Sequence, residues 1–104
     1  MPELDATIHQ PVRLQIMSAL SALGPKEHVN FTYLRDILKT TDGNLGAHLL
    51  KLEEAGYLEQ EKVFMERKPR TFIRATLRGR AAFQDHVAAL RRLLEPPGIP
   101  KGHK

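Results

Sequence analysis

Apolar residues recur along this chain at two different spacings, and the changes between them divide it into elements. After Pro11, a residue tolerated in a first helical turn, Val12, Ile16, Ala19, Leu20 and Leu23 follow at intervals of three and four until Gly24-Pro25, which predicts a helix over about residues 11–23. "KEHVNF" is a polar connector with room for one short strand at Val29. Tyr33, Leu34, Ile37 and Leu38 mark a short second helix, capped by Asn30 or Thr32. Thr41 is placed to cap a third by accepting a hydrogen bond from an N–H near Asn44, with Asp42 at the positive end of its dipole. Leu45, Leu49 and Leu52 form the inward stripe of that third helix, and Gly56 closes it. Two short helices joined by a tight turn make a helix-turn-helix. From Leu58 to Thr76 the helical period disappears. "LEQEKVF" and "TFIRAT" read as strands separated by the charged "MERKPR", a hairpin with a basic tip. Thr76 then caps a last helix, about residues 77–94, stopped by Glu95-Pro96-Pro97-Gly98. The expected architecture is α+β, mainly helical with a small hairpin, in the order α-β-α-α-β-β-α. Residues 1–95 form one domain and 96–104 a disordered tail.

Length agrees with a single domain, since 104 residues supply one modest core. There is no cysteine, so disulfides and thiolate metal sites are excluded, and no stretch is apolar for long enough to span a membrane. A soluble cytoplasmic protein is the expectation. Charge sharpens the picture through its distribution more than through its net value of +4. Between Lys62 and Arg92 nine basic residues face two acidic ones, whereas Glu27 to Glu61 holds three basic and seven acidic. Such segregation suggests that a unit in the second half meets a polyanion or an acidic surface.

Three stretches carry a family resemblance: "HQPVRLQIMSAL", "TDGNLGAHLLKLEEAGYLE" and "ERKPRTFIRATLRGRAAF". They resemble the first helix, the recognition helix with its exit turn, and the wing with the following helix of winged helix-turn-helix transcriptional regulators of the MarR and ArsR type. The likeness covers roughly residues 5–94 and is nearest to the compact branch without long extra terminal helices. Arg78 stands where the family often has an acidic residue, and Ala75 where a larger aliphatic is usual. The resemblance implies a homodimeric, sequence-specific regulator bound to double-stranded DNA. It also leaves room for a small-molecule effector, although the chain has few aromatics to line a pocket.

On a helical wheel the third helix turns Gly43, Asn44, Ala47, Lys51 and Glu54 outward, with Gly46 and His48 on the flanks. An interior glycine costs about 1 kcal/mol relative to alanine, so two of them call for a reason. The N-terminal part of a recognition helix lies nearest the base edges of the major groove, and bare positions let its backbone approach closely. The competing reading of Gly46 is that it gives the second helix room to pack. Asn44 can present a bidentate amide to adenine, while His48 and Lys51 can reach a base edge or a phosphate. The competing readings are a first-turn role for Asn44 and a packing role for His48. Thr41, beside the helix N-terminus, is a natural phosphate contact, and Arg67, Lys68 and Arg70 around Pro69 give the wing a second anchor on the minor groove or backbone.

The last helix is apolar over a wide arc, which calls for two neighbours. Phe83, His86, Val87, Leu90, Leu93 and Leu94, with Leu14 and Met17 of the first helix, are therefore expected at a two-fold interface. A monomer with a folded-back C-terminal segment is the alternative. Asp85-His86 lacks the further ligands of a metal site, and His9, His28 and His103 have no evident partners and read as solvated. No catalytic constellation is seen, so neither an enzymatic role nor a cofactor is expected. The rival function is a winged-helix adaptor for an acidic protein, for which Leu50 is the one suitable outward anchor.

Overall fold

The computed structural model describes residues 3–100 and 102. Its elements follow the expected order: α1 (Pro11–Ser21), β1 (Val29–Asn30), α2 (Phe31–Ile37), α3 (Asp42–Glu54), β2 (Leu58–Met65), β3 (Lys68–Ala75) and α4 (Leu77–Leu94). Short polar side chains start the helices by satisfying otherwise unpaired N–H groups. The Asn30 carboxamide oxygen accepts from Thr32 and Tyr33, and the hydroxyl oxygens of Thr41 and Thr76 accept from Asn44 and Gly79. Of the two caps considered for α2, Asn30 therefore serves. Both helices of the helix-turn-helix end on a left-handed residue, Lys39 (φ 53°) after α2 and Gly56 (φ 81°) after α3. The next N–H then turns back, from Thr40 to the Arg35 carbonyl and from Tyr57 to the Leu52 carbonyl, which closes the last turn of each helix.

The three strands form an antiparallel sheet in the order β1-β3-β2. The hairpin differs from expectation at its tip. The strands continue through "MERKPR" until Met65 pairs with Lys68, leaving only Glu66 and Arg67 as the turn. Both have positive φ, 51° and 64°, as a two-residue turn matching the strand twist requires. Pro69 pairs with Phe64 inside the ladder. It is tolerated because β1 pairs only with Phe72 and Ile73, so this end of β3 has a free edge that needs no N–H donor.

Ile8, Ile16, Met17, Leu20, Leu34, Leu45, Leu49, Leu52, Leu58 and Ile73 fill the core between helices and sheet. Where β2 leaves α3 and α4 leaves β3, the backbones come very close. A Cβ on Gly79 would lie 1.9 Å from the Tyr57 carbonyl oxygen, and that oxygen accepts from the Thr76 N–H at 3.0 Å. Only a residue without a side chain fits the first turn of α4.

An N-terminal arm, residues 5–10, corrects part of the expected interface. Its Asp5 N–H donates to His86 Nδ1 at 2.8 Å, its His9 Nδ1 lies 3.3 Å from His86 Nε2, and Tyr57 donates its hydroxyl proton to the Asp5 carboxylate. His86 is consequently enclosed, with no exposed surface, and is unavailable to a partner subunit. Met17 is equally buried, since α1 turns Ile16, Met17 and Leu20 together into the core. His9 and His28 are exposed, as read, but each has a neighbour: His9 meets His86, and His28 lies tilted against Phe72 with ring centroids 4.4 Å apart. His103 lies outside the described residues, as do residues 101 and 104 of the expected tail; residues 96–100 form no regular element. No helix among the described residues is long and apolar enough to cross a membrane.

Candidate nucleic-acid interface

The N-terminal half of α3 presents a surface almost free of side chains. Gly43 and Ala47 are exposed, and a Cβ placed on either Gly43 or Gly46 would meet nothing within 4 Å. Neither glycine has a positive φ. The alternative that Gly46 makes room for α2 is thereby excluded.

Around this surface the polar side chains are held in place. Asn44 donates its amide to the Thr40 hydroxyl at 2.7 Å and its N–H to Thr41 Oγ1. Its carboxamide oxygen and second amide hydrogen, and the Thr41 hydroxyl proton, remain for a ligand. Asp42 would repel phosphate at this end, but Arg35 of α2 holds it at 2.7 Å while also pairing with Asp36. His48 is half-buried and accepts at Nδ1 from Arg13 Nε–H at 3.1 Å, and Arg13 also donates to the Thr7 carbonyl. Burial, and then the Arg13 charge, hold the His48 pKa below the usual imidazole value. With Nδ1 accepting from Arg13, neutral His48 carries its proton on Nε2 and is a donor there, and the lowered pKa favours that form over the cation. Lys51 is exposed one turn further along.

The wing supplies the charge. Arg67 and Lys68 are exposed at the tip, and with Lys62 they enter no ion pair among the described residues. Arg70 lies 3.5 Å from Glu66 across the turn. A recess of about 290 Å³ separates the wing from the start of α2, with Asn30 and Thr32 on one wall and Lys68, Arg70 and Thr71 on the other. Other basic residues of the second half serve the fold. Arg74 pairs with Glu59, Arg78 stacks over Tyr57, and Arg80 donates to the carbonyls of Leu20, Ser21 and Gly24 at the end of α1. The charge excess expected of a single face is thus divided between the wing and internal contacts.

Sequence reasoning missed Arg13 and Arg35, which brace α3 from α1 and α2. Their role depends on how neighbouring helices are rotated, and nothing local in the sequence reports that. On the far side of the domain's first and last helices, Leu14, Ala19, Phe83, Val87 and Leu90 line an open apolar groove of about 460 Å³. Leu93 and Leu94 extend beyond it, 67% and 80% exposed. Among the described residues no group of three or more His, Asp or Glu side chains could hold a metal ion.

Comparison with known proteins agrees with this fold. Residues 12–94 match the model of a family described as winged helix DNA-binding domain. An uncharacterized protein of Methanocaldococcus jannaschii is 39% identical over 82 residues, which cover 79% of this chain and 86% of that one. The structure of a transcriptional regulator homologue from Pyrococcus horikoshii superposes with a TM-score of 0.76 at 31% identity, over 85% of this chain and 84% of that one. A zinc-responsive MarR family member from Lactococcus lactis shares the fold, with a TM-score of 0.57 at 17% identity over 88% of this chain and 57% of its own.

Proposed function

Given that the chain belongs to the winged helix DNA-binding domain family, we propose that it is a homodimeric transcriptional regulator that binds specific sequences in double-stranded DNA. Recognition helices α3 enter successive major grooves of a pseudo-palindromic site, and the wings lie on the adjacent minor groove or backbone. The observation that carries this reading is the absence of any intramolecular demand for Gly43 and Gly46. The fold accepts their cost without using the space, so the space serves something outside it, and a duplex groove fits a bare helix face. Thr41, Asn44, Ala47, His48 and Lys51 surround that face, and Arg67, Lys68 and Arg70 anchor the wing. Leu14, Phe83, Val87, Leu90, Leu93 and Leu94 supply the two-fold contact.

The test is fluorescence anisotropy of a labelled mixed-sequence duplex across a salt series, comparing wild type with Arg67→Ala/Lys68→Ala/Arg70→Ala. Each phosphate contact steepens the fall of log K with log salt by about 0.9, so the expected result is steep salt dependence that becomes shallower in the triple variant. Wild type that ignores duplex at low salt would overturn the proposal. That outcome would favour an adaptor for an acidic protein, a reading supported by exposed Tyr33, Ile37 and Leu50 on α2 and α3.

A further inference from the structure

The wing carries apolar surface that neither the fold nor phosphate contact explains. Side chains alternate between the two faces of a strand, and Leu58, Gln60, Lys62 and Phe64 of β2 share one face. Near its base that face is the core side: Leu58 is buried opposite Ala75, and the Gln60 amide donates to Glu53 of α3 at 3.2 Å. Further out the helices no longer cover it, and Phe64 stands 74% exposed with Pro69 directly opposite in the ladder. Met65, next to it, is 47% exposed. Lys62, Arg67 and Lys68, in no ion pair among the described residues, surround this ridge.

We propose that Phe64 and Pro69 form an apolar wedge that enters the minor groove beside the recognition helix, contacts sugar and base edges, and bends the duplex. The proposal rests on the DNA-binding reading above and goes beyond its electrostatic anchor. Apolar side chains that enter a minor groove unstack a base step and kink the duplex, and the bent DNA meets more protein surface. Charge complementarity selects this occupant. A cluster of cations around an apolar ridge suits a polyanion, whereas a two-fold contact between wings would set Lys62, Arg67 and Lys68 against their own copies. Phe64 shares its face of β2 with Gln60, which reaches Glu53 of α3, and Pro69 also borders the recess toward α2, so one duplex can meet the ridge and the helix-turn-helix together.

Salt separates the wedge from the anchor. Apolar contact releases no counterions, so its contribution is the same at every ionic strength. Phe64→Ala is expected to weaken duplex binding about tenfold or more at each salt concentration, with the log K against log salt line displaced in parallel. Phe64→Leu should recover part of the loss. In a duplex labelled at both ends, energy transfer should rise on binding wild type and fail to rise with Phe64→Ala. Because Phe64 is exposed, the circular dichroism and melting temperature of the variant should match wild type, and its sedimentation should too. Unchanged affinity in Phe64→Ala, or a duplex that stays straight in the wild-type complex, overturns the wedge while leaving the DNA reading standing. A change in sedimentation overturns it in favour of self-association through the wing. Absence of duplex binding by wild type removes both readings together.

Discussion

Three glycines show how one residue type serves opposite ends. Gly79 belongs to the fold: with the Tyr57 carbonyl 1.9 Å from where its Cβ would stand, backbone would have to move. Gly79→Ala is expected to lower unfolding free energy by at least about 3 kcal/mol, read as a fall in denaturant midpoint. Gly43 and Gly46 are free of such constraint, and alanine should stabilise the protein by about 1 kcal/mol at Gly46, inside the helix, and by less at Gly43 in its first turn. The double variant Gly43→Ala/Gly46→Ala should therefore melt higher and yet bind duplex more weakly, a pairing visible by combining denaturation with anisotropy. Higher stability with unaltered binding would show that the bare face of α3 is not a DNA contact.

Among the elements, those whose signals are local were legible in the sequence. The three threonine and asparagine caps, the leucine stripe of α3 and the closing Gly56 each act within a few residues, so periodicity and cap chemistry located α2, α3 and α4. The wing was misjudged at its tip because Glu66 and Arg67 occupy left-handed positions that usually advertise themselves as Asn-Gly, and because Pro69 sits in a strand. The interface was misjudged at His86 because its burial depends on an arm docking from the other end of the chain, and at Met17 because α1 turns it into the core beside Ile16 and Leu20. The proposed subunit contact is thereby narrowed to the groove between α1 and α4. Leu90→Glu there is expected to convert a dimer to a folded monomer in sedimentation equilibrium, since a charge buried against an apolar partner surface costs more than the contact yields. A variant that stays dimeric would move the subunit contact elsewhere.

For the molecule as a whole, the arm makes stability depend on acidity. His86 can accept from the Asp5 N–H only while Nδ1 is unprotonated, and burial, then the neighbouring His9, hold its pKa below the usual imidazole value; Asp5 acts in the opposite sense. Below the unfolded imidazole pKa of about 6.5 the unfolded chain thus binds more protons than the native one, so stability is full above that pH and declines as pH falls. The His48 shift has the same sign. Melting temperature should fall between about pH 7.5 and about pH 5, and His86→Gln should flatten part of that slope; an equal slope in the variant would place the titrating group elsewhere. The same arm has a consequence for synthesis. The Asp5 N–H and its acceptor on His86 are 81 positions apart, and the end of α1 takes its closing donors from Arg80, 56 to 60 positions downstream. On the ribosome, where about 5 to 20 residues are added each second, the first helix emerges seconds before the helix that covers it. The nascent N-terminal half must wait with its core face open, so a translational pause before α4 is made would leave that half exposed to chaperones and to its neighbours on the same message.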